Sequence, residues 1–222
     1  MTRLLLPLLF GLAGCAVLIS LGVWQVQRLA WKEGVLSDIE ARIAADPVTL
    51  PTAPEPDRDK YLPVAATGAV SAGLRVLVSV KRRGAGYRMI DVFETGGRRV
   101  LLDRGFLDLE THSDFGTEAE VSVTGNLHWP DEVDRWTPEP DLAKGLWFAR
   151  DVPAMAAALG TEPVLIVART IAPNPFAADP LPVGTEGIPN DHLEYAITWF
   201  SLAIVWAGMT GFLLWRIRQR TV

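Results

Sequence analysis

A chain of 222 residues holds one ordinary domain with length to spare. It is 49% hydrophobic, with mean hydropathy +0.20 and a net charge of −5. That balance argues against nucleic-acid binding, because phosphate contacts need clustered Lys and Arg. The single cysteine, Cys15, excludes an internal disulfide.

The apolar residues gather at the two ends. No charge occurs from Leu4 to Val23 or from Tyr195 to Trp215. Each run, as a helix, covers the roughly 30 Å hydrocarbon core of a bilayer. Neither run has a polar face, so neither suits a soluble surface helix. Residues 4–23 and 193–215 are therefore predicted to be membrane helices. Arg3, Arg216, Arg218 and Arg220 flank their outer ends. Basic ends stay in the cytoplasm, whereas long domains translocate largely regardless of charge. Both termini are expected in the cytoplasm, with the acidic middle outside it.

A cleaved signal peptide over residues 1–23 is a rival reading. Leu12-Ala13-Gly14-Cys15 also has the form of a lipoprotein box that would leave a lipidated Cys15. Against both, the apolar run continues through Ala16-Val17-Leu18-Ile19, and the basic leader is one arginine. The sequence shows no Arg-rich, Ser-rich transit leader, which favours a bacterial plasma (inner) membrane.

Beyond the first span a helical extension is expected over residues 24–46. Trp24, Arg28 and Trp31 share one face of it, the two indoles as interfacial anchors. Pro51 to Asp59 reads as a loop. Residues 60–172 alternate short apolar runs with glycine and charged turns. Strands are predicted at 61–70, 74–80, 87–93, 99–103, 121–127, 146–149 and 164–169. Thr95-Gly96-Gly97-Arg98 is a hairpin turn. Lys81-Arg82-Arg83 is a solvated turn. Asp151 caps a short helix that Gly160 ends. Residues 173–190, rich in proline, form a return loop. The fold class is thus a membrane protein whose two transmembrane helices flank a mainly antiparallel β (α+β) extracytoplasmic domain.

Chemistry-bearing motifs are few. HExxH, CxxC, GxSxG and glycine-rich phosphate loops are absent, so the chain reads as non-enzymatic. Asp103-Arg104 reads as an ion pair at a strand end, and His112 and His128 as surface histidines. Paired soft ligands for Cu(I) are lacking. His192 stands where the chain re-enters the membrane. Asp191 and Glu194 have the spacing of a capping box, which puts His192 in the first helical turn. The helix dipole disfavours a positive ring there, and an uncharged imidazole keeps a lone pair for a metal. His192, Ala196, Trp199, Ala203 and Ala207 share a face whose small residues permit close packing in lipid. Two readings follow. An apolar seam with an imidazole at its mouth can hold a flat iron-bearing ring, or His192 is an interfacial residue bonding water or a headgroup. Arg28 likewise either neutralises a ring carboxylate or snorkels to the interface.

The segments Leu21-Gly22-Val23-Trp24-Gln25-Val26-Gln27-Arg28-Leu29-Ala30-Trp31-Lys32 and Asn190-Asp191-His192-Leu193-Glu194-Tyr195-Ala196-Ile197-Thr198-Trp199-Phe200 carry a resemblance. Weaker matches are Tyr61 with Val64 and Thr67-Gly68, Gly86-Tyr87, Val100-Leu101-Leu102-Asp103-Arg104-Gly105-Phe106, and Trp147-Phe148-Ala149-Arg150-Asp151. Together they resemble the surfeit-locus (Shy-type) cytochrome c oxidase assembly factors. Asp191 stands for the family's asparagine, and Phe106 for its usual tryptophan. The resemblance implies an assembly factor for haem-copper terminal oxidase that binds haem a between its helices and assists insertion into the catalytic subunit. It implies His192 as the metal ligand, with Trp199, Arg28, Trp24 and Tyr195 around the cofactor. Haem a synthase is a further partner, beside the lipid bilayer. A cofactor-free scaffold for an oxidase intermediate is the alternative.

Overall fold

The computed structural model describes residues 2–111 and 118–220, the side chains of residues 2 and 3 excepted. His112 lies outside the described residues. In chain order the elements are α1 (Thr2–Ala44), β1 (Val48–Thr49), α2 (Pro56–Asp59), β2 (Pro63–Val80), β3 (Gly84–Thr95) and β4 (Arg98–Asp108). They continue with β5 (Ala119–Leu127), a 3-10 turn at Leu142–Lys144, β6 (Leu146–Trp147), α3 (Val152–Leu159), β7 (Leu165–Ala172) and α4 (His192–Gln219). Two compact units result: residues 1–38 with 185–222, and Ile39–Gly184.

The first unit consists mainly of the two long helices. Both are long and apolar enough to cross a membrane, with mean hydropathy 2.5 and 1.7 in their most apolar stretches. With 43 residues, α1 runs about 65 Å, roughly twice the thickness of a hydrocarbon core. Pro7 is tolerated because it falls within the first turns, where few backbone bonds are lost.

In the second unit the strands close on themselves. β2 pairs β3, β3 pairs β4, β4 pairs β7, β7 pairs β5, and β5 returns to β2. The sheet is mixed but mainly antiparallel, as expected: the long β2–β3, β3–β4, β2–β5 and β5–β7 ladders are antiparallel, and the short β4–β7, β1–β2 and β2–β6 pairings run parallel. Closure depends on β2, which is one 18-residue strand where two were expected. Its first half pairs β5 and its second half β3. The anticipated break at Ser71-Ala72-Gly73 is a bulge, which bends the strand without ending it. The hairpin forms as expected, with Gly96 and Gly97 both at positive φ (56° and 75°).

Both faces of β4 are buried, which is why it reads as the unbroken apolar run Val100-Leu101-Leu102. Val100 and Leu102 join one core with Phe93, Val123 and Ile166. Leu101 joins the other with Leu165, Val167 and Met155 of α3. α3 starts and stops on local signals. Asp151 accepts from the Ala154 amide at 3.0 Å, and Gly160 closes the helix at φ 64°. The end of α1 is held within this unit: Ile43 O accepts from Asn126 Nδ2 at 3.1 Å and Arg169 Nη2 at 2.7 Å.

Asp103 and Arg104 are not paired with each other. Arg104 is the extra residue of a bulge between Asp103, opposite Ile90, and Gly105, opposite Met89, with Gly105 at φ 110°. Arg104 pairs with Asp91 and lies 4.0 Å over Phe176. Asp103, fully buried, accepts from Arg88 at 2.7 Å and Arg150 at 3.3 Å, and Arg150 also pairs with Glu132. Burial pushes the Arg88 guanidinium below its ordinary value. Burial acts as strongly on Arg150, yet Glu132 and Asp103 together outweigh it and hold that group above its ordinary value. His128, expected on the surface, is half-buried against Tyr61, with Nδ1 buried and unpartnered among the described residues. Burial, reinforced by Arg150 and Lys60, pushes its pKa down to about 4.

Two outcomes are expected. Asp103→Asn removes the carboxylate that pairs with buried Arg88 and one of the two that hold Arg150, and should cost about 3–5 kcal/mol, read as a lowered urea midpoint in detergent. For His128, the unfolded ring takes its proton near 6.5 and the folded ring only near 4. The associated stability is complete above pH 6.5 and is lost as pH falls towards 4. His128→Phe should flatten that stretch of the stability–pH curve, and an unchanged slope would contradict the assignment.

Candidate functional site

The first unit carries the site, and its geometry begins with how the two helices meet. Along α1 a stripe of less exposed positions runs through Leu4, Pro7, Gly11, Gly14, Leu18, Leu21, Gln25 and Arg28, with Cys15, Gly22 and Leu29 beside it. Along α4 the matching stripe runs through His192, Ala196, Trp199, Ala203, Trp206 and Thr210, with Phe200 beside it. Steps of three and four alternate, which is the 3.5-residue repeat of helices packed along a shallow crossing. The helices run antiparallel. Gly11 faces Thr210, Gly14 faces Trp206 and Gly22 faces Phe200. A Cβ on Gly14 would lie 2.2 Å from Trp206 Nε1, and one on Gly22 would lie 2.7 Å from the Phe200 ring. The seam therefore closes only because these positions lack side chains.

Among the described residues, three polar contacts cross the seam. Trp206 Nε1 donates to Gly11 O at 3.1 Å, and Cys15 Sγ lies 4.0 Å from Ala203 O. At the other end His192 Nδ1 meets Gln25 Oε1 at 2.7 Å. Gln25 is 8% exposed and His192 is half-buried. An amide oxygen can only accept, so Nδ1 carries a proton in this contact, and in the neutral ring that leaves the lone pair on Nε2. Nε2 has no partner among the described residues. Nearby in sequence, Trp199 Nε1 and Asn190 Oδ1 are buried without partners among those residues.

The structure distributes the sequence-derived site residues unevenly. His192 and Trp199 lie on the seam. Arg28 is half-buried on α1, its guanidinium 4.1 Å from the Trp31 ring centre. Trp24 and Tyr195 are 50% and 55% exposed, outside the seam. Ala207 is exposed, because the contact repeat steps from Ala203 to Trp206 and not by four. Asp191 occupies the N-cap of α4 without a side-chain cap bond, so the capping box does not form. Sequence reasoning missed Gln25 and the three seam glycines. The signal was available in Gly11, Gly14, Gln25 and Arg28, which fall on one 3.5-residue stripe.

A pair of antiparallel apolar helices on either side of a closed β unit defines a protein with two candidate membrane-spanning helices and one inserted domain. The chain belongs to the SURF1 family, whose family model matches residues 12–204. It is 28% identical to Surfeit locus protein 1 of Rattus norvegicus, over 84% of this chain and 69% of that protein. The Homo sapiens protein of the same name is also 28% identical, over 83% and 69%. The SURF1-like protein of Drosophila melanogaster is 29% identical, over 90% and 74%.

The antiparallel register is open to a direct check. Ala203→Cys should form an intramolecular disulfide with Cys15 under mild oxidation, seen as a 2 Da mass loss (two hydrogens) in the intact protein. Ile204→Cys, whose parent side chain is 74% exposed, should not. Equal cross-linking of both would refute the register.

Proposed function

We propose that the chain is an assembly factor for haem-copper terminal oxidase that holds haem a at His192 before it enters the catalytic subunit. Membership of a family known for cytochrome oxidase assembly supports the assembly role. The two apolar helices support a membrane location, and the basic ends support an inner-membrane topology with both termini in the cytoplasm. Haem a synthase is a fitting upstream partner.

The observation that carries the cofactor reading is the His192–Gln25 contact. It leaves one imidazole nitrogen protonated and the other free to bond iron. The unpartnered indole N–H of Trp199 is a second group that a bound ligand would satisfy. Haem, if bound, would supply an iron able to accept a nitrogen donor such as His192. The helices themselves leave little room for a flat ring between them, since Phe200 sits on Gly22 and His192 on Gln25. The ring therefore belongs at the mouth of the seam. There Trp24 and Tyr195 expose aromatic surface, and Arg28 offers a cation for a propionate. A single neutral ligand suits cargo that must leave again.

The tightness of the seam also favours a second reading, in which the helix pair is a cofactor-free scaffold for an oxidase intermediate. The two readings part on one comparison. Protein purified from cells making haem a should show a Soret band, and His192→Ala should shift or abolish it. If His192→Ala leaves the spectrum and oxidase yield unchanged while Ala203→Leu lowers the yield, the scaffold stands and haem ligation does not.

A further inference from the structure

We infer that Gln25 is a positioning residue that fixes the tautomer and direction of the His192 ring, so that the imidazole is competent for iron only while the two helices are paired. This rests on the reading of His192 as a haem ligand and assigns a role to a residue outside that ligand set.

The argument starts from burial. Gln25 lies at the end of an apolar helix, yet only 8% of it is exposed. A buried primary amide that bonds nothing is costly. Its carbonyl oxygen meets His192 Nδ1 at 2.7 Å, a short distance for an N–H···O bond. The partners lie 167 positions apart in sequence and on different helices. A free neutral imidazole exchanges its proton between two nitrogens and rotates about χ2. Donation to a fixed carbonyl removes both freedoms. The proton stays on Nδ1, and the Nε2 lone pair keeps one direction. Ligating histidines characteristically bond their other nitrogen in this way, and loss of the partner costs about 10–100-fold in metal affinity.

The contact also couples ligation to packing. Gln25 comes from α1 and His192 from α4, and the helices approach closely because Gly14 and Gly22 lack side chains. Parting the helices removes the acceptor and leaves His192 on its helix, free to rotate and to exchange tautomers. A carrier built this way presents its ligand when the seam is shut and weakens it when the seam opens, for example against a client helix.

The test uses the full-length protein in detergent with 15N-labelled histidine. His192 is assigned by its absence from the His192→Gln spectrum, and ferric haem b serves as the binding probe. The wild type should show the Nδ1-protonated form. Gln25→Met, close in volume but without the carbonyl, should lose that form and bind the probe about 10–100-fold more weakly. Gln25→Glu keeps an acceptor and should retain both properties. Gly14→Val, which leaves Gln25 in place but forces the helices apart, should reproduce the Gln25→Met result. An Nε2-protonated ring in the wild type overturns the proposal. So does a Gln25→Met protein with an unchanged ring and an affinity within twofold of wild type. If the tautomer follows Gln25 but the wild type takes neither this probe nor haem a, the positioning role stands and the haem reading fails.

Discussion

The antiparallel seam between α1 and α4 is the constraint from which the rest of the site follows. Two apolar helices gain nothing from the hydrophobic effect when lipid is the alternative neighbour, so packing and a few polar bonds must hold them. Here packing is made by absence. Gly11, Gly14 and Gly22 receive Thr210, Trp206 and Phe200. Register is made by the polar contacts, with Trp206 on Gly11 O at one end and His192 on Gln25 at the other. Sliding one helix by a residue would break both and drive an indole into a backbone. The orientation of His192 is thus a property of the helix pair, and neither helix has it alone.

The β unit solves a different problem with similar economy. β4 and the adjoining stretch of β3 are covered on both faces, so charged groups there have little water to turn to. The described residues answer with a linked set: Arg88, Arg104 and Arg150 against buried Asp91 and Asp103 and the exposed Glu132. Such sets seldom add stability over apolar residues of equal size, because desolvation offsets the attraction. What this one does is fix where chain segments meet. Arg150, just before α3, reaches Asp103 on β4, and Glu132, after β5, reaches Arg150. The bulge at Arg104 lets neighbours in sequence serve different partners, Asp103 turning to Arg150 and Arg104 to Asp91.

What the sequence made legible was local. Asp151 and Gly160 bound a helix because a cap and a left-handed stop are written within ten residues of each other. Gly96-Gly97 marked a hairpin for the same reason. The features that escaped reading depend on partners far along the chain. Ser71-Ala72-Gly73 looks like a strand end until β5 and β3 are both known to lie beside β2. Ala207 looks like a seam residue on a straight helix of 3.6 residues per turn, but two helices in sustained contact follow 3.5. Asp191 and Glu194 have cap spacing, yet the Asp191 side chain makes no cap bond. Gln25 carried no sign of its role, since an amide at a helix end reads equally well as an interfacial group until its acceptor is matched to a ring 167 residues away.

That separation has a consequence for how the protein is made. The polar contacts across the seam join α1 to α4, with the whole of Ile39–Gly184 between the paired residues. A long intervening loop makes such contacts entropically slow to form unless the loop is itself folded and shortened. The closed β unit does this by condensing that stretch into one compact body. A chain stopped before α4 would have Gln25 with no ring to hold. The His192 ring therefore becomes oriented only after α4 has been made and the two helices have found their register.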